Sequence, residues 1–121
     1  MGPDEDHEDV DNNFYTNVAA KQSLQFGQAT RRNDLAMYEN VTRSTGPAMT
    51  WAMYAINHLD LGDRDKAADM LARSYRRNVM PPFYVWREYS TERSDTGAVN
   101  FLTGAGGFLQ AIMAGYGGIR I

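Results

Sequence analysis

Apolar residues recur along this chain mostly at helical spacing, and the pattern changes from segment to segment. Asn12 or Asn13 can cap a helix whose apolar positions are Phe14, Tyr15, Val18, Ala19 and Phe26. Gly27 weakens helical continuity there. A shorter amphipathic helix is predicted over 31–41, with Leu35, Tyr38 and Val41 as its apolar positions.

Thr45-Gly46-Pro47 then reads as a helix start, because proline at the first helical position loses no needed hydrogen bond. Ala48, Met49, Trp51, Ala52, Met53, Ala55, Ile56 and Leu59 cover most of the next helix's circumference, which demands burial on several sides. Leu61-Gly62-Asp63 breaks it, with Asp63 able to cap the helix that follows. Ala67, Ala68, Leu71, Ala72 and Tyr75 form one stripe on that second helix, and Arg64, Asp65, Asp69, Arg73 and Arg76 lie outside it. This is an inner helix joined to an outer one by a tight turn. Pro81-Pro82 ends the hairpin. Residues 83–86 form a short extended or buried run leading to Glu88, and 89–97 read as a polar loop. A glycine-rich helix is predicted over 101–116, where Gly104, Gly106 and Gly107 allow close backbone approach. The coarse fold class is all-α.

Composition narrows the picture modestly. A chain of 121 residues is one small domain, and its net charge of −3 gives no reason to expect nucleic acid or an acidic membrane as partner. Residues 1–11 hold six carboxylates and no Lys or Arg. No apolar run approaches the ~18 residues needed to span a bilayer, and an acidic start is unlike a signal peptide, so a cytoplasmic protein is the default. Without cysteine, disulfides and thiolate metal sites are excluded.

Each candidate for chemistry has a plain structural counterpart. The run Asp4-Glu5-Asp6-His7-Glu8-Asp9 fails as an EF-hand, since its sixth position is Asp9 and its twelfth Tyr15. By itself it reads as a solvated acidic end. His7 and His58 are not at metal-ligand spacing, so no metal is expected. Gly104-Ala105-Gly106-Gly107 lacks the ending of a phosphate loop and suits close helix packing better. The hairpin around 55–68 looks like a single tetratricopeptide unit, too little for a binding array. Trp86-Arg87-Glu88-Tyr89 puts a carboxylate among aromatics. That could be an exposed acid beside a core tryptophan, or a sugar site in which rings stack and the acid moves a proton.

Two stretches carry a resemblance. Gly2-Pro3-Asp4-Glu5, six residues, then Asn12-Asn13-Phe14-Tyr15-Thr16-Asn17 resembles the general-acid motif of glycoside hydrolase family 65. Gly46-Pro47-Ala48-Met49-Thr50-Trp51, Val85-Trp86-x-Glu88, the run from Gly97-Ala98-Val99-Asn100 to Gly104, and Gly106-Gly107-Phe108-Leu109-Gln110-Ala111 resemble its acid-trehalase-like branch. That branch includes glucosidases acting on the glucosyl-galactosyl unit of collagen hydroxylysine. The resemblance implies part of an (α/α)6 barrel and hydrolysis of an α-glucoside with inversion, without a cofactor. Glu5 would protonate the leaving oxygen and Glu88 would activate water. Asp4 and Trp86 would contact the sugar. Like-charge repulsion from Asp4, Asp6, Glu8 and Asp9 would raise the Glu5 pKa as a general acid requires. A carboxylate at 88 argues against the phosphorylases of the family.

The departures are also informative. Measured against the family, residues 1–121 would be a partial catalytic domain, lacking the N-terminal β-sandwich, the first half of the barrel and the C-terminal β domain. A Lys-Gln pair that grips glucose is missing, because Lys21-Gln22 lies in another context. Arg87 stands where a smaller residue is usual. The expectation is a truncated product with weak or no activity alone, open to self-association through exposed apolar helix faces. The alternative is a non-catalytic interaction module built on the hairpin 47–76.

Overall fold

The computed structural model describes the backbone of residues 14–119 and the side chains of residues 21–119. The chain divides into two units, residues 1–34 and 35–121. Most described residues are helical.

Helix α1 spans Phe14–Val41 without interruption. The break expected at Gly27 is absent. A helical glycine costs about 1 kcal/mol relative to alanine, too little to interrupt a helix of good formers such as Lys21, Gln22, Leu24, Gln25, Gln28 and Ala29. The side chains of 21–34 are all exposed. Of the three apolar positions read over 31–41, only Leu35 is buried. The face at 35, 39 and 42 is instead partly polar: Glu39 bonds His58, and Thr42 Oγ1 lies 2.6 Å from the Tyr54 hydroxyl.

Helices α2 (Met49–Asp60) and α3 (Arg64–Arg76) form the hairpin read from the sequence. Trp51, Ala55 and Met70 are its buried centre, flanked by Tyr54 and Leu71. The α3 stripe is rotated from the expected one. Ala67, Met70 and Ser74 are buried, whereas Ala68 is exposed. Between the helices, Gly62 takes φ +79, and Asp63 N–H reaches the His58 carbonyl (2.8 Å) while Gly62 N–H reaches that of Leu59 (3.0 Å). This is a Schellman closure. Asp63 stands at the α3 N-cap without a side-chain cap bond; its carboxylate lies 3.7 Å from His58 Nδ1 instead.

Strands β1 (Val79–Met80) and β2 (Val85–Trp86) pair antiparallel, Val79 with Trp86 and Met80 with Val85. Pro81-Pro82 therefore lies in a strand-to-strand turn rather than at the helix end, and Phe83 and Tyr84 are exposed there, not buried. Helix α4 (Leu102–Gln110) continues into a π-helical segment, Ala111–Tyr116. Both pack on α2, which is thus covered by α3 on one side and by the C-terminal helix on another, as its wide apolar surface demands. Gly104 makes the close approach possible. A Cβ there would stand 2.8 Å from Trp86 Cδ1 and 3.0 Å from Ala48 Cβ. Gly106, expected to pack likewise, faces open space.

On the 47–59 helix Trp51 is buried, whereas Met49 is exposed. Further exposed apolar side chains lie at Leu102, Leu109, Met113 and Tyr116. No helix among the described residues is long and apolar enough to cross a membrane.

Candidate active site

Glu88 follows β2 in an extended segment whose backbone is paired on both sides. Its N–H donates to the Ala98 carbonyl (2.9 Å). Its carbonyl accepts from Ala48 N–H at the start of α2 (2.9 Å) and from Asn78 Nδ2 (3.0 Å). Neighbouring main-chain bonds repeat the pattern: Arg87 N–H to Asn78 O (2.8 Å), Tyr89 N–H to Thr96 O (3.2 Å) and Phe101 N–H to Trp86 O (2.8 Å). The α2 bond is reciprocal in its effect, since it satisfies an N–H left unpaired by helix geometry while fixing the Glu88 peptide.

The Glu88 side chain is half-buried, and its Oε2 accepts from Ala98 N–H at 3.0 Å. Gly97, at φ +60, lies against it. A Cβ at 97 would stand 2.7 Å from both Glu88 Cβ and Oε2. Among the described residues no Lys or Arg forms an ion pair with this carboxylate. It is held by a backbone donor, and the Arg93 guanidinium acts on it through space without forming an ion pair.

Trp86 is half-buried, with its indole N–H donated to the Ser74 carbonyl (3.1 Å) and its ring 5.6 Å from that of Phe108. Its polar edge is committed to the fold, so only its ring surface is left for a ligand. Tyr89 lies beneath the Arg93 guanidinium, 4.2 Å from ring centroid to Cζ. Arg93 in turn forms a bidentate pair with Asp95, at 2.7 and 2.9 Å. Those hydrogen bonds raise the Arg93 pKa and lower that of Asp95. Arg87 is buried, and its Nη2 donates to the Asp95 carbonyl (3.1 Å). The polar loop is thus tied back to the Glu88 segment by two arginines.

Glu88, Trp86 and Tyr89 lie close in one segment, but Trp86 faces the helices while Glu88 faces 97–98. Asp4 and Glu5 lie outside the described residues, as does His7. His58 is buried between Glu39, bonded through Nε2, and Asp63; Lys66 lies 3.6 Å from the other Glu39 oxygen. This cluster ties the end of α1 to the hairpin and is remote in sequence from Glu88. Sequence reasoning missed Asn78 and the 97–98 pair. Asn78 gave no periodic signal. Gly97 and Ala98 stood within a run that carried the family resemblance, without any role attached to them.

No protein-family model matches the chain, and no solved structure matches it. Curated relatives do. The chain is 53% identical over 91 residues to a protein-glucosylgalactosylhydroxylysine glucosidase of Danio rerio, a match covering 75% of this chain and 13% of the relative. A kojibiose hydrolase of Mucilaginibacter mallensis is 38% identical over 93 residues, covering 74% and 13%. An acid trehalase of Emericella nidulans is 32% identical over 116 residues, covering 88% and 10%. The chain therefore spans about an eighth or less of the length of these relatives. Identity of this order over three quarters of the chain reflects common descent, and the chain belongs with the glucosidases and trehalases of the glycoside hydrolase family 65 type, as a partial counterpart of them.

Proposed function

We propose that this chain carries the acid and base of an inverting α-glucoside hydrolase, with Glu5 as general acid and Glu88 as general base. The single observation that carries the reading is Glu88 itself, whose backbone is bonded by Ala48 N–H, Asn78 Nδ2 and the Ala98 carbonyl, and whose carboxylate accepts from Ala98 N–H and forms no ion pair among the described residues. The names of the relatives supply the substrate class, a glucosyl unit such as that of glucosylgalactosylhydroxylysine or kojibiose, and the resemblance to the family supplies its α linkage. In this reading residues 1–121 are part of an (α/α)6 barrel, with α2 and α3 as one inner and outer pair. Asp4 and the exposed part of the Trp86 ring contact the sugar.

The chemistry requires no cofactor. Glu5 gives its proton to the glycosidic oxygen as that bond breaks, while Glu88 removes a proton from water attacking the anomeric carbon from the opposite face. The products are β-glucose and the alcohol. Because the chain matches so small a share of its relatives, turnover by the 121-residue chain alone is expected to be slow. The test is glucose release from kojibiose at high protein concentration, with the anomer followed by NMR. Slow release of β-glucose, abolished in both Glu5→Gln and Glu88→Gln, is the expected result. Absence of release, or release indifferent to both substitutions, contradicts the proposal.

A further inference from the structure

We propose that Gly97 and the Ala98 N–H form a latch that sets the orientation of the Glu88 carboxylate, making Gly97 a positioning residue for the reaction. The inference rests on Glu88 acting as the base, and it adds what aims that base. Three observations converge. The Ala98 N–H donates to Glu88 Oε2 at 3.0 Å, while the Ala98 carbonyl accepts the Glu88 N–H at 2.9 Å, so one residue grips both the backbone and the side chain of Glu88. Gly97 has φ +60, a conformation that L side chains rarely adopt. A Cβ at 97 would also lie 2.7 Å from Glu88 Oε2 and 3.0 Å from Tyr89 Cδ2. Position 97 therefore requires glycine twice, once for its backbone and once for the space occupied by the carboxylate itself.

The latch holds Oε2 and leaves Oε1 as the oxygen that takes the proton. A neutral donor suits this purpose. An arginine in the same place would grip the carboxylate bidentately and occupy both oxygens, whereas one backbone N–H orients one oxygen only. The remaining anchors act on the main chain. Asn78 Nδ2 and Ala48 N–H hold the Glu88 carbonyl, so the residue as a whole stays in place even when the side-chain bond is lost. Loss of the latch should therefore misdirect the base without unfolding its segment. An ångström-scale misplacement of a reacting group costs about 100-fold in rate.

The experiment uses the full 121-residue chain, labelled for NMR, in parental, Glu88→Gln, Gly97→Ala and Gly106→Ala forms. Gly106 faces open space and is the control. The readouts are the Ala98 and Ala48 amide proton resonances, with kcat and KM for glucose release from kojibiose. We expect the Ala98 amide to move upfield in Glu88→Gln and Gly97→Ala while the Ala48 amide stays in place. In Gly97→Ala, kcat should fall about 100-fold with KM little changed. An Ala98 amide indifferent to Glu88→Gln overturns the latch, as does a normal kcat in Gly97→Ala whose Ala98 amide has moved. If Gly97→Ala does not fold, the Glu88→Gln spectrum decides alone. If the parental chain releases no glucose, the base assignment falls, whereas the latch stands or falls on the amide resonances.

Discussion

The α2–α3 hairpin and the segment from 77 to 101 adjoin each other but are held by different forces. In the hairpin the centre is apolar: Trp51 and Ala55 on one helix, Met70 on the other. In the segment carrying Glu88, the buried residues are Asn78, Arg87 and Ser90, all polar. Its order comes from main-chain bonds among 78–80, 85–89 and 96–101, with few buried side chains beneath. Apolar burial is non-directional and tolerates small shifts. Hydrogen bonds impose distance and angle. A carboxylate that must present one oxygen is better placed by the second kind of scaffold.

That contrast can be broken at several points, beginning with the largest effect. Trp51→Ala empties the hairpin centre and should cost about 3–5 kcal/mol, read as a lower denaturation midpoint. If the stability barely changes, the hairpin is not the main apolar store of energy. Gly104→Ala tests the junction, where the new methyl meets Trp86 and Ala48; overpacking of this kind costs about 1–3 kcal/mol. Both Trp86 fluorescence and the melting temperature should shift.

Asn78→Ala removes a donor to the Glu88 and Arg87 carbonyls at 3.0 and 3.4 Å. Since Ala48 still serves the Glu88 carbonyl, a loss of about 1 kcal/mol is expected. Hydrogen exchange at the Arg87 and Glu88 amides should accelerate more than at α2 amides, because the damage is local to the polar scaffold.

The smallest effect lies at the loop. Asp95 has a carboxyl pKa below its unfolded value because Arg93 hydrogen-bonds the charged form. The pair thus contributes stability that is present above the unfolded value and lost as pH falls through the folded one. Asp95→Asn should be slightly less stable than the parent at neutral pH and indistinguishable from it in acid. Added salt should shrink the difference, because the pair is solvent-exposed. A difference that grows in acid has the wrong sign for this account.

Legibility in the sequence followed the same division. The inner and outer helices were readable from apolar spacing, and the turn between them from Leu61-Gly62-Asp63. Even there, side chains misled in detail. Ser74 is fully buried although polar, and Asp63 turns its carboxylate toward His58 rather than capping α3. The continuity of α1 was missed because one glycine weakens a long helix without ending it. Around Glu88, periodicity had nothing to offer. Two-residue strands are too short to show alternation, and the pairing partners of 85–89 lie on both sides of it in sequence. Resemblance picked out Glu88 and Trp86, but it did not reveal that the Trp86 N–H is bonded to Ser74 or that Gly97 supports the carboxylate.

The most direct measurement is the separation of the Glu5 and Glu88 carboxyl groups in a crystal structure of the chain with a bound glucoside analogue. An inverting pair is expected at roughly 6.5–9.5 Å, on opposite faces of the sugar with room for one water. Carboxyl groups far outside that range, or on unrelated surfaces, would contradict the assignment of Glu5 and Glu88 as a working acid and base.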